Sequence, residues 1–104
     1  MRKKRTPVYG GNIEKANAAI DAAGLIPGGP KKANAILAIE ALILAEGKKK
    51  PPVCWTRVVA EGLERNGCEP TAGGTLRWYL VKMREGFIKT RPEVLEILDP
   101  FDLG

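Results

Sequence analysis

The chain contains no histidine. That removes the side chain most used for proton transfer near neutral pH, and the commonest zinc ligand. Cysteine is nearly absent too: Cys54 and Cys68 form no CxxC pair. They flank a predicted helix of about 12 residues, which would hold them roughly 18 Å apart at 1.5 Å rise per residue. A disulfide needs its Cα atoms within about 7 Å, so the pair is expected to stay reduced, as in a cytoplasmic protein. Two residues each of Trp, Tyr and Phe leave the core to Leu, Ile, Val and Ala. No apolar run is long enough to cross a membrane, and the basic start is not followed by a signal-peptide core. The glycine pairs at 10–11, 28–29 and 73–74 fit no phosphate-loop or GxGxxG pattern, and no paired carboxylates sit at a recognisable spacing. The expectation is a protein that is no enzyme and holds neither metal nor cofactor.

What is present is basic charge, unevenly spread. All 17 Lys and Arg fall in residues 1–91, against eight acids. Residues 92–104 carry Glu93, Glu96, Asp99 and Asp102 with no base, so the net +5 is a +9 body followed by a −4 end. A basic body favours a polyanionic partner. The first basic cluster, Arg2-Lys3-Lys4-Arg5, reads as an arm that either lies along phosphates or stays solvated. The second, Lys48-Lys49-Lys50 ahead of Pro51-Pro52, is a connector too short to be a domain linker. At 104 residues the chain makes one small domain. Its organisation is read as a basic arm over 1–11, a helical domain over 12–98 and an acidic tail over 99–104.

Apolar spacing predicts a helix from Asn12 to Ala23, capped by Asn12 and facing inward through Ile13, Ala16, Ala19, Ile20 and Ala23. Gly24 ends it. Pro30 suits the first turn of a second helix, Lys31 to Glu46, that is apolar on almost every side. Such a helix is the centre of the core, a dimer face, or both. Pro51-Pro52 bars its continuation.

The stretch Trp55 to Arg84 reads as helix, tight turn, helix. Val58, Val59, Ala60, Gly62 and Leu63 stripe the first helix, and Asn66-Gly67 stops it. Cys68, Glu69 and Pro70 make the corner. Thr71 suits an N-cap. Ala72, Leu76, Leu80 and Met83 then face inward at helical steps, leaving Gly73, Gly74, Arg77, Trp78, Val81, Lys82 and Arg84 for outer or flanking faces. On Val59, Ala60, Leu63, Gly67, Thr71, Thr75, Leu76 and Leu80, this third of the chain resembles the helix-turn-helix of winged-helix regulators such as the N-terminal domain of the arginine repressor family. The departure is Gly73-Gly74, which costs roughly 1 kcal/mol per glycine in helix propensity and either admits a phosphate or delays the helix start.

Residues 86–98 read two ways. A strand over 86–90 and a turn at 91–93 would make a small wing tipped by Lys89 and Arg91. Alternatively Pro92 starts a short helix, favoured by Glu93 and Glu96 in its first turns. The fold class expected is therefore mainly α: a small domain of four to five helices with a helix-turn-helix, the β wing being the alternative end.

The resemblance implies a sequence-specific DNA-binding regulator of phage, plasmid or bacterial type, homodimeric, reading the major groove with helix 71–85. The expected contacts are Arg2, Lys3, Lys4, Arg5, Lys48, Lys49, Lys50, Arg57, Thr71, Gly73, Gly74, Thr75, Arg77, Trp78, Lys82, Lys89 and Arg91. The competing class is a protein-binding module, for instance a phage-encoded inhibitor of a host defence protein of anti-CRISPR-like kind. It would anchor through Trp78, because Trp and Arg dominate protein interfaces, or through the tail Asp99 to Gly104.

Overall fold

A computed structural model describes residues 13–47 and 54–98. Five α-helices account for the described secondary structure: α1 (Ile13–Asp21), α2 (Lys31–Glu46), α3 (Trp55–Arg65), α4 (Gly73–Glu85) and α5 (Pro92–Leu98). The C-terminal ambiguity resolves to a helix. Pro92 opens α5, Val94 and Leu98 are buried, and no strand exists among the described residues, so the wing is replaced. None of the five is long and apolar enough to cross a membrane.

The apolar spread of α2 has a direct cause: it packs on all four other helices. Ala35, Ala38, Ile39, Ala41, Leu42 and Ile43 are buried against Ile20, Leu63, Leu76, Leu80, Met83 and Leu98 in one cluster. Small residues let neighbouring backbones approach. Gly62 of α3 shows how closely, since a Cβ there would stand 2.7 Å from Ile20 Cγ2 of α1. The predicted inner face of α1 holds: Ala16 and Ile20 are fully buried, with Ile13, Ala19 and Ala23 packed at the edge. The helix is shorter than expected, ending at Asp21, and Asn12 lies outside the described residues.

Two polar side chains inside α2 tie the loops down. Asn34, 3% exposed, accepts from Ile26 N–H and donates to Ile26 C=O, both at 2.9 Å. This fixes a turn in which Gly29 N–H donates to Ile26 C=O, with Pro27 second and Gly28 third at φ +77°, the sequence a type II turn requires. Pro30 is the N-cap of α2 rather than a first-turn residue. Glu40, 5% exposed, accepts from the Thr90 hydroxyl and from Arg91 N–H at 3.3 Å, and its other oxygen lies 3.4 Å from Arg91 Nε. The α2 end is also set differently from expectation: Gly47 at φ +61° returns its N–H to Ile43 C=O, several residues before the prolines.

Between α3 and α4 the chain does not turn tightly. Seven residues, 66–72, connect them. The predicted stop at Asn66-Gly67 is met by a Schellman motif: Gly67 N–H donates to Glu64 C=O and Cys68 N–H to Leu63 C=O. Cys68, within the connector, is buried. Thr71 is 4% exposed and caps nothing; Ala72 is the N-cap, its carbonyl accepting from Leu76 N–H. Ala72, expected inside, is exposed, because the helix begins at Gly73 and its inner row is Leu76, Leu80 and Met83.

Candidate nucleic-acid interface

The connector brings α4 back to the start of α3. The position a Cβ would take on Gly73, the first residue of α4, lies 3.5 Å from Oγ1 of Thr56, in the first turn of α3, and 3.8 Å from Nη1 of Arg77. Two helix amino ends, a hydroxyl and a guanidinium therefore meet at one place. Neither helix is capped by a side chain. The first amides of α4, on Gly73, Gly74 and Thr75, have no intrahelical acceptor, and none receives one from the described residues. Each amino end carries roughly half a positive charge. Around Gly74 a Cβ would meet nothing within 4 Å, so the backbone is open to close approach there.

From this end, the outward surface of α4 splits into two flanks. One carries Gly73, Arg77 and Arg84, one and then about two turns apart. Arg77 and Arg84 are exposed and without a partner among the described residues. The other carries Thr75, Trp78 and Lys82, and continues into Phe87. There the Lys82 ammonium sits 5.4 Å from the Trp78 ring centroid and 4.9 Å from that of Phe87, and 3.4 Å from Glu85. The rings remain open to solvent, Trp78 at 53% and Phe87 at 76% exposure. Tyr79 meets Trp78 edge-on at 6.0 Å. Phe87 reaches this place because Gly86, at φ +89°, ends α4 in a second Schellman motif, with Phe87 N–H donating to Lys82 C=O.

The expected contact residues thus divide. Gly73, Gly74, Thr75 and Arg77 come together at the amino end of α4. Trp78 and Lys82 lie on the aromatic flank. Thr71 is buried and unavailable to a ligand. Arg57 is paired with Glu61 at 3.3 Å. Arg91 is not a free wing tip, since Glu40 of α2 holds it. Lys89 is exposed. Arg2, Lys3, Lys4, Arg5, Lys48, Lys49, Lys50 and the tail from Asp99 lie outside the described residues. Sequence reasoning passed over Thr56 and Phe87. Phe87 did carry a signal, since an apolar residue after a helix-ending glycine is common; Thr56 had none.

The described residues hold ten Lys and Arg and ten Asp and Glu, so the whole +5 comes from residues 1–12, 48–53 and 99–104, which hold seven bases and two acids. No metal-binding group of acids and cysteines occurs among the described residues. A half-open groove of about 390 Å³ between α1 and α2, lined by Ala19, Ala22, Ala41 and Leu44, ends at the Glu40–Arg91 pair.

No family model, curated protein or solved structure matches this chain.

Proposed function

We propose that this chain is a small duplex-DNA-binding protein, of the helix-turn-helix regulator kind, in which α4 is the reading helix and α3 lies across the phosphate backbone. The observation that carries the reading is the meeting of Thr56, Gly73 and Arg77. It joins two positive helix ends to a side chain suited to bidentate base or phosphate contact. Lys48, Lys49 and Lys50 stand a few residues before α3 in the sequence and lie outside the described residues. Because the described body is electrically balanced, affinity for a polyanion rests on the arm and the lysine connector, while Arg77 and Arg84 supply the oriented contacts. A homodimer reading two half-sites fits this use. The burial of α2 against four helices accounts for most of its apolarity.

The test is electrophoretic mobility of random duplex DNA at low and moderate salt. Binding at low salt that weakens steeply as salt rises, with Arg77→Ala and a triple Lys48, Lys49, Lys50→Ala variant each reducing it, supports the reading. Absence of any shift at low salt sinks it. A second reading, a protein-docking module, is favoured by one specific observation: Trp78 and Phe87 are large, apolar and more than half exposed, beside a cation they partly shield. A DNA-reading helix gains little from such a flank, whereas protein interfaces concentrate their energy in such residues.

A further inference from the structure

We propose that the acidic segment Asp99 to Gly104 docks back on the outward surface of α4, with Phe101 and Leu103 against the Trp78 and Phe87 rings and Asp102 toward the arginine flank. The contact itself needs no assumption about DNA. Only its consequence, that the segment competes with a duplex for α4, rests on the nucleic-acid reading.

Charge selects the occupant. α4 is the one described helix with a positive balance, Arg77, Lys82 and Arg84 against Glu85, and Lys82 takes up Glu85 at 3.4 Å. Of the three segments outside the described residues, 1–12 and 48–53 carry bases and no acid, so that surface repels them. Residues 99–104 carry two acids and no base, and continue the acidic run of Glu93 and Glu96.

Apolar pattern and reach agree with the charge. Both exposed rings, Trp78 and Phe87, have their centroids within 5.4 Å of the Lys82 ammonium. Residues 99–104 also hold two large apolar side chains, Phe101 and Leu103, with Asp102 between them. An extended segment sends alternate side chains to opposite sides, so Phe101 and Leu103 share one side and Asp102 takes the other. α4 has the same division, rings on one flank, Arg77 and Arg84 on the other. The segment starts close by, because Leu98 is fully buried in the cluster that holds Leu76, Leu80 and Met83, the inner row of α4. A helix with its side chains is about 10–12 Å across, and six extended residues span about 20 Å. So short a tether gives an effective concentration on the order of millimolar, and a contact of only millimolar intrinsic affinity is then populated.

The experiment compares the full chain with its Phe101→Ser and Asp102→Arg variants and with a chain ending at Leu98, by indole NMR and acrylamide quenching. Trp55, 6% exposed, is the internal control. All three changes should shift the Trp78 indole signal and raise its quenching, with the Trp55 signal and the melting temperature nearly unchanged. Salt at ~1 M should reproduce part of the Asp102→Arg change in the full chain, because it screens exposed charges. A Trp78 signal that ignores truncation overturns the contact. So does a fall in melting temperature with no change at Trp78, which places Phe101 and Leu103 in the core instead. Protection of Trp78 that fades on dilution puts the segment on a second copy and overturns the intrachain contact. A short random duplex in parallel keeps the two proposals apart. A segment seated for half to two-thirds of the time lowers apparent duplex affinity about two- to threefold, which truncation should restore. Trp78 changes on truncation without duplex binding by either chain keep the contact and remove the nucleic-acid reading. Duplex binding by both chains with the Trp78 signal unchanged removes the contact and keeps that reading.

Discussion

Asn34 holds the peptide of Ile26 as one strand holds another, with one hydrogen bond in each direction at 2.9 Å. The pair is closed, and Asn34 is buried. It fixes the α1–α2 loop without help from Ile26's own side chain, which is 59% exposed.

Asn34→Ala should therefore destabilise the fold by about 1–2 kcal/mol, since it leaves the Ile26 N–H without its acceptor while the Ile26 carbonyl keeps the Gly29 N–H. Ile26→Ser should cost only a few tenths of a kcal/mol, because little apolar area is lost from the core. Chemical denaturation of both variants checks the contrast, and a comparable loss from each would show that the loop is held by apolar contact instead.

Gly62→Ala places a methyl 2.7 Å from Ile20 Cγ2, which is fully buried and cannot swing away. Helix propensity alone would make this change favourable by about 1 kcal/mol. Overpacking should win, with a net loss of about 1–2 kcal/mol. The double variant Gly62→Ala with Ile20→Val should recover part of it, because valine lacks the δ-methyl and can shift within the space. A stabilised single variant would mean that α1 and α3 separate easily.

Asp21 supplies a pH-dependent term. Its carboxylate accepts from Arg65 at 2.7 and 3.0 Å and from Asn66 at 2.8 Å. The Arg65 hydrogen bonds first, then that from Asn66, hold its pKa below the ordinary 3.8. A depressed folded pKa means the stabilisation is fully present above the unfolded value and drains away as pH falls through the folded one. The pair is solvent-exposed, so the effect should be no more than about 0.5–1 kcal/mol and should shrink with salt. Urea melts from pH 6 to pH 3 should show wild type losing stability more steeply than Asp21→Asn, and parallel curves would exclude the linkage.

The helix limits most legible in the sequence were those written in local chemistry. The span Lys31–Glu46 of α2 was legible, although its stop is Gly47 rather than Pro51-Pro52 and Pro30 caps it rather than entering its first turn. Asn66-Gly67 closes α3 as read, because a left-handed cap favours glycine whatever surrounds it. Thr71 misled for a physical reason. A threonine before a helix is usually a cap, yet here its side chain is drawn inward and Ala72 opens the helix. Arg91 was misread because its partner is 51 residues away: Glu40 sits inside an apolar helix, where a lone charge reads as a solvent position. The Thr56–Gly73 approach was invisible for the same reason, since nothing in either segment states how a seven-residue connector will fold back. The basic arm and lysine connector, plain in the sequence, carry seven bases, which the tail's Asp99 and Asp102 reduce to the net +5, and all of these lie outside the described residues.

The two tryptophans offer a direct way to choose between the functional readings. Trp55 is 6% exposed and Trp78 is 53% exposed, so acrylamide should quench mainly Trp78. Trp78→Phe should leave a single, poorly quenched emission from Trp55 and cost little stability, because a phenyl ring can still cover Lys82. If α4 reads DNA along its Gly73–Arg77–Arg84 flank, duplex binding should survive Trp78→Ala within about twofold while Arg77→Ala loses about tenfold or more, the scale of one specific contact. Quenching of Trp78 should then persist in the complex. If Trp78→Ala abolishes duplex binding at unchanged melting temperature, the aromatic flank itself faces the nucleic acid, and bases stack on it rather than being read at their edges. If neither variant shows duplex binding to lose, a protein that shields Trp78 from acrylamide becomes the partner to seek. The Trp78–Lys82–Phe87 surface would then be the place to test, with Phe87→Ala as the variant that breaks the contact without touching the α4 amino end.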